Sequence, residues 1–372
     1  MKILYCTNQL STHGGIERML SQKINFLLQQ NKDEVFLATF EQLGMPDVYP
    51  LDNKLTRFDL AINYHKNRSY FHPKNLVKIL KHYFKLRRLI KKIQPDIIVS
   101  VSYTPEQFFL PYIQKQIPKI KELHSSGIVV GISGKKEKKS IKENLTSIFK
   151  RYNALVVLNK DEVPYFEGCN TVVIPNFTDF KSDLSTKYVK EKTIIAAGRI
   201  APVKQFQELI HIWKMIHDNF TDWKIKLFGD GEPQLVTELQ ELIQSFNLES
   251  SFLLMPATAN LQEELEKASI YAMTSATECF PMVLLEAQVS ALPIVSYDCP
   301  FGPRNIITNE FDGYLTPQNN REYFAKSLSE LMLDESKRNY LGENARQSVI
   351  RFSKENVMAQ WDDLFNQLVF KQ

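Results

Sequence analysis

The chain has 372 residues, 44% of them hydrophobic and 11% aromatic, with a formal net charge of +4. That length corresponds to about two domains with sizeable cores, and so small a charge does not mark a nucleic-acid partner; none is expected. No run of about 18 apolar residues is present to span a bilayer, the apolar opening Met1-Lys2-Ile3-Leu4-Tyr5-Cys6 is too short for a signal peptide, and Cys6, Cys169, Cys279 and Cys299 show no CxxC spacing. The expectation is a folded cytoplasmic protein with reduced thiols, no disulfide and no structural metal.

Residues 2–7 read as a short buried strand. After the polar run 8–15, helical periodicity extends from about 16 to 28, with Leu20, Ile24 and Leu27/Leu28 on one face. Strand, Gly14-Gly15 loop and helix open a nucleotide-binding α/β unit, because glycine lets the backbone approach a phosphate with no Cβ between them. Gly-Gly also serves ordinary tight turns.

The alternation continues through a strand at 34–40, a helix over 75–93, a strand at 96–102, a helix over 106–116 and a strand at 119–123 that leads into His124. Ligands of open α/β sheets gather beyond the carboxyl ends of strands, where His124 falls. A capping or packing histidine fits the same place.

On the helix over 74–92, at about 100° per residue, Lys74, Lys78, Lys81, Lys85, Arg88 and Lys92 share an arc of roughly 80°. Leu76, Ile79, Leu80, Tyr83, Leu86, Ile90 and Ile93 fill much of the opposite side, with Arg87 and Lys91 nearer to them, and no acid interrupts the helix. A second basic cluster, Lys135-Lys136-Glu137-Lys138-Lys139, follows. Such charge forms a solvated face by default; an anionic membrane attracts it with about 1 kcal/mol per nearby cation. Reversible docking of these six residues on such a membrane is the expectation.

The polar segment 178–192 is the expected domain boundary. Beyond it come strands at 193–197, 224–228, 252–255, 270–273, 293–296 and 314–316, with helices at about 205–216, 233–246 and 261–268 between the earlier ones. Both halves are expected to be doubly wound α/β domains. Gly198-Arg199 and Lys204 place a planar fork and a point charge past a strand end, a pairing that suits a diphosphate. Phe228-Gly229-Asp230-Gly231 is another strand end relieved by glycine.

Around Glu278-Cys279-Phe280-Pro281-Met282-Val283-Leu284-Leu285-Glu286 a carboxylate ends a loop, and a helix starts near Pro281 because proline suits the first turn. Amides at Met282 and Val283 would point toward Glu278 and favour an anion. Carboxylates at Glu278 and Glu286 would take hydroxyls at the two ends of a ligand shaped like a nucleotide-sugar. The plain alternative is a buried helix with two ordinary glutamates.

Gly14-Gly15-Ile16-Glu17-Arg18, His124, Pro175-Asn176, Gly198-Arg199 with Lys204, Gly229-Asp230-Gly231 and Glu278-x7-Glu286 together resemble, in order and spacing, the family 4 retaining glycosyltransferases. The resemblance covers nearly the whole chain. It implies a GT-B architecture of two Rossmann-like domains facing across a cleft: an acceptor-binding domain at 1–177, a nucleotide-sugar domain at 178–352, and a last helix at 353–372 returning to the first. Arg199 and Lys204 would bind the diphosphate, with Gly15, Gly198 and Gly229 allowing close approach. Glu286 would take the ribose hydroxyls, Glu278 the sugar hydroxyls with the backbone of Phe280, Pro281, Met282 and Val283 in support, and His124 would contact the sugar near the reacting centre.

Retention in the family is attributed to front-face displacement with no protein nucleophile and no metal, in keeping with the absence of an Asp-x-Asp motif here. The chain differs from the family pattern in having Met255-Pro256-Ala257, Cys279 and the stretch beyond Lys204 where glycines are common. The expected activity is hexosyl or N-acetylhexosaminyl transfer, from a UDP-sugar, to a glycan or lipid-linked acceptor of polysaccharide, lipopolysaccharide or glycolipid synthesis, peripherally at the inner face of the cytoplasmic membrane. A nucleotide-sugar epimerase on the same fold is the alternative, and a silent binding module a third reading.

Overall fold

A computed structural model describes residues 1–65, 67–70, 72–124, 146–179 and 190–370. The basic run at 135–139 lies outside the described residues, as does most of the expected boundary segment. The chain forms two compact units, Met1–Pro175 with Met358–Gln372, and Asn176–Val357.

The first unit carries β1 (Lys2–Thr7), β2 (Glu34–Thr39), β3 (Thr56–Asp59), β4 (Ile97–Ser100), β5 (Lys119–Glu122), β6 (Ala154–Val157) and β7 (Thr171–Val173). They pair in parallel in the order β3-β2-β1-β4-β5-β6-β7. In the second unit β8 (Thr193–Ala197), β9 (Lys224–Phe228), β10 (Phe252–Met255), β11 (Ile270–Met273), β12 (Ile294–Tyr297) and β13 (Gly313–Thr316) pair in parallel as β10-β9-β8-β11-β12-β13. Strands covered on both faces read as continuous apolar runs, and β8 (Thr-Ile-Ile-Ala-Ala) is buried throughout. Strand order reverses beside β1 in one unit and beside β8 in the other. Those reversals open crevices at the carboxyl ends of β1 and β4, and of β8 and β11.

The first unit also holds α1 (Gly15–Gln29), α2 (Pro73–Ile93) and α3 (Glu106–Phe109). The second holds α4 (Phe206–Ile216), α5 (Pro233–Ser245), α6 (Leu261–Lys267), α7 (Met282–Val289), α8 (Arg321–Leu333) and α9 (Glu335–Ser348); α10 (Lys354–Phe370) ends the described chain. The helix expected over 106–116 is instead the single turn α3 followed by a 3-10 turn at Leu110–Tyr112. Pro111 lacks the amide hydrogen and crowds the preceding turn.

The face assigned to α2 also changes. Its inward side carries Asn75, His82, Leu86, Leu89, Ile90 and Ile93, while Leu76, Val77, Leu80 and Phe84 are 45, 69, 62 and 61% exposed. Hydropathy counts Asn75 and His82 as outward, but both have partners inside. Asn75 bonds the backbone of His65, Arg68 and Ser69, and His82 Nδ1 lies 3.0 Å from the Tyr64 hydroxyl. Burial pushes the His82 imidazole down to about 3, so it packs there neutral. Nor do all six basic residues face outward without partners: Lys78 donates to the Asn63 carbonyl and Lys85 to the Leu60 carbonyl, the latter at 2.5 Å. Lys85 stays exposed all the same, as do Lys74, Lys81, Arg88 and Lys92, joined by Arg87 and Lys91.

Candidate active site

The second unit gathers its chemistry where β8 and β11 end side by side. Gly198 leaves β8 with φ of 152°, followed by the exposed Arg199, a turn at Pro202–Lys204, and Gln205 with φ of 48°. Gln205 therefore occupies the left-handed region itself, in the stretch beyond Lys204 where the resemblance leads one to expect a glycine. The Ala276 amide donates to the Val203 carbonyl at 2.8 Å, and the Thr274 hydroxyl lies 3.2 and 3.1 Å from the Lys204 and Gln205 carbonyls. The cationic loop is thus stitched to the segment after β11.

On that segment the Glu278 carboxylate receives Lys204 Nζ at 2.6 Å and the Ser275 hydroxyl at 2.7 Å on one oxygen. Glu278 and Lys204, expected at the sugar and at the diphosphate, hold each other here. Both side chains keep some exposure, 13 and 21%. A bound anion would compete for Lys204 and release Glu278 toward hydroxyls.

Helix α7 begins one residue past Pro281, which caps it from an extended conformation. The Met282 and Val283 amides have no acceptor within the helix, as at any helix start. From Leu284 to Val289 every residue is buried, Glu286 at 3% exposure among them. Glu286 thus sits inside the unit, one turn along the helix.

Comparison with known proteins bears on this arrangement. The sequence model described as "Glycosyl transferases group 1" matches residues 177–348, the unit just described. The amylovoran biosynthesis glycosyltransferase AmsD of Erwinia amylovora is 27% identical over 98% of this chain and 99% of its own length.

Residues 177–348 carry the pattern of the glycosyl transferases group 1 family.

A Campylobacter jejuni transferase, named as adding α-1,4-linked N-acetylgalactosamine to a diphospho-undecaprenol glycan, is 25% identical over 97% of each chain. A crystal structure of Staphylococcus aureus TarM with UDP and α-GlcNAc-glycerol superposes with a TM-score of 0.77 at 16% identity, covering 98% of this chain and 99% of that one. That likeness is one of fold, and the fold is GT-B.

In this glycosyltransferase the contacts of two residues near Glu278 escaped the sequence reading. A Cβ on Gly302 would lie 2.6 Å from Glu278 Cβ and 2.9 Å from Pro281 Cδ, so glycine there lets the 301–302 turn seat Glu278. The spacing from Glu278 gave no hint of this contact. Ser275 adds a hydrogen bond that no motif flags. Burial pushes the Cys299 thiol up to about 12, and the Glu278 charge adds to this, so the cysteine is no ready nucleophile.

Gly15 and His124 belong to the first unit. A Cβ on Gly15 would meet nothing within 4 Å, whereas one on Gly14 would meet the Glu17 carboxylate at 2.2 Å. Gly15→Ala is therefore expected to leave the thermal midpoint unchanged. If a diphosphate does approach that backbone, the donor KM rises; an unchanged KM removes Gly15 from the site. His124 follows β5, with its amide donating to the Tyr103 hydroxyl at 2.7 Å and Nε2 lying 2.9 Å from Glu122 Oε1.

Proposed function

We propose that this glycosyltransferase moves a hexose or N-acetylhexosamine from a UDP-sugar to a glycan or lipid-linked acceptor, with retention of anomeric configuration and without a metal. The observation that carries the reading is the Lys204–Glu278 pair at the ends of β8 and β11. A cation and a carboxylate that neutralise each other before binding are the two charges a sugar diphosphate asks for: Lys204 and Arg199 take the phosphates, and Glu278 takes sugar hydroxyls. Amides at the start of α7 add to the anion site, and Glu286 takes the ribose.

The bond from the anomeric carbon to the diphosphate oxygen breaks, and the acceptor oxygen joins that carbon on the same face. The departing phosphate receives the acceptor proton. Catalysis is then positioning and stabilisation of the leaving charge. The relatives named for amylovoran and for an undecaprenol-linked glycan support an acceptor of surface-glycan synthesis. The test is the anomeric configuration of the product, read by proton NMR with excess chelator present. An α-linked product from an α-linked donor, formed at an undiminished rate, supports the reading; inversion or loss of turnover with chelator overturns it.

The outward face of α2 supports action at the inner face of the cytoplasmic membrane. Phe84 lies about 180° around the helix from Asn75 and Ile93. Leu76, Val77 and Leu80 flank it, exposed cations border the four, and the helix holds no acid. Such a face rests in an anionic interface by both apolar burial and charge. Leu80→Ser/Phe84→Ser is expected to lower partition onto vesicles with anionic lipid by at least about 10-fold, since each side chain contributes roughly 1.5 kcal/mol or more when buried. Sedimentation with vesicles reads this; equal binding of variant and wild type would leave only charge.

A further inference from the structure

Residues 40–55 join β2 to β3 with neither helix nor strand. A connection longer than about 12–15 residues is uncommon in a compact domain, and where it is ordered it usually serves a function. Polar side chains tie this one down. The Leu10 amide donates to Gln42 Oε1 at 3.0 Å, and Gln42 Nε2 donates to the Met45 carbonyl at 2.9 Å and to Asp47 Oδ1 at 3.1 Å. The Val48 amide returns to the Leu10 carbonyl at 3.0 Å. Further along, Asn25 of α1 donates to the Pro50 carbonyl and accepts the Asp52 amide, both at 2.9 Å. The segment is thus fixed to the loop after β1 and to the flank of α1. Between these ties lies a cavity of about 400 Å³, lined by Asp47, Tyr49, Asp52, Asn53 and Arg57. Small-molecule sites usually measure about 300–1,000 Å³. Arg57, from β3, forks onto the Asp47 carboxylate with Nη2 3.0 Å from Oδ1, and the Tyr49 and His13 rings meet edge to face with centroids 6.1 Å apart. Asp52 Oδ1 accepts the Lys54 amide at 2.9 Å, while its second oxygen and the Asn53 side chain hydrogen-bond to no described residue.

We propose that this pocket is a saccharide subsite, holding a sugar of the acceptor glycan other than the one that receives the new linkage. Arg57 neutralises Asp47, which leaves one carboxylate in the pocket: too few ligands for a divalent cation, and the wrong sign for a phosphate. No group of three or more His, Cys, Asp or Glu side chains placed to hold a metal occurs among the described residues. A neutral polyol suits what remains. The Asp52 carboxylate accepts hydroxyls, the Asn53 amide donates and accepts, and the Tyr49 ring covers an apolar C–H face. Asn25 lies in the middle of α1 and Arg57 near the start of β3, so the pocket extends down the flank of the unit, away from the carboxyl ends of β1 and β4. A sugar bound there belongs to the body of a glycan.

That this sugar is part of the acceptor rests on the function proposed above; the pocket's affinity for a saccharide does not. The probe is the mixture of oligosaccharides released by mild acid from the membrane lipid extract, added to the full chain without nucleotide-sugar. Saturation-transfer NMR is expected to show ring protons of a bound sugar. Asn53→Ala removes an exposed side chain that holds nothing in the fold, and should weaken binding about fivefold through lost hydrogen bonds. Tyr49→Ala should weaken it about tenfold by removing the ring surface. In transfer assays both raise KM for the lipid-linked acceptor by similar factors, with kcat and donor KM unchanged. No saturation with the wild type, or equal affinity in wild type and both variants, overturns the subsite. Transfer whose acceptor KM is unchanged in both variants keeps the enzymatic reading and likewise overturns the subsite. Binding weakened by both substitutions, with no transfer to the extract from any UDP-, GDP- or ADP-sugar, keeps the saccharide site and overturns the reading of its occupant as acceptor.

Discussion

Lys204→Ala is expected to lower kcat for sugar transfer by about 10²- to 10³-fold, the usual consequence of removing one fixed group that stabilises developing charge. Its effect on stability should be small. The ammonium pairs with Glu278 at 2.6 Å while 21% of its side chain is exposed, and such partly screened pairs contribute about 1 kcal/mol or less. Activity and stability therefore separate. Steady-state nucleotide release and a thermal melt on the same preparation check both, and a large fall in the melting midpoint matched by a modest fall in kcat would make Lys204 a structural residue. Lys204→Arg keeps the charge but not the point geometry, and is expected to fall between the two.

Gly229→Ala should do the reverse, damaging the fold first. A Cβ there would lie 2.0 Å from the Gly198 carbonyl oxygen, a backbone atom that cannot turn aside. The β8–β9 ladder runs in register to Ala197 and Phe228, and the Gly198 amide donates to the Phe228 carbonyl at 3.0 Å. Relief requires the strand ends to part or the loop carrying Arg199 to shift. Overpacking against a rigid neighbour destabilises by about 3 kcal/mol, which a urea midpoint reads. Gly229→Ala with a wild-type midpoint would mean that the two strand ends are not packed in this way.

These two sites show what the chain makes legible and what it hides. The alternation of apolar runs with periodic helices exposed both doubly wound sheets, because parallel strands buried on two faces leave a continuous signal. Strand β3, Thr-Arg-Phe-Asp, left none: it is a largely exposed edge, and its residues look like loop. The residues after β8 and β11 could be named because strand ends and glycines mark crevices. Their mutual pairing could not, since Lys204 and Glu278 are 74 residues apart and meet only through the β8–β11 neighbourhood. Gly302 was hidden for the same reason, its meaning residing in a contact with Glu278 rather than in its own turn. On α2 the hydropathy pattern misled, because Asn75 and His82 have buried partners and the exposed leucines have a solvent-facing position.

The central claim is that the second unit binds a nucleotide-sugar through Lys204 and Glu278 and passes its sugar to an acceptor. Nucleotide release from a panel of UDP-, GDP- and ADP-sugars, with and without membrane lipid extract, by wild type beside Glu278→Ala tests it most directly. The account predicts release from one donor, dependent on the extract and lost in the variant. Conversion of a UDP-sugar to its epimer without extract, or equal release by wild type and Glu278→Ala, would contradict it.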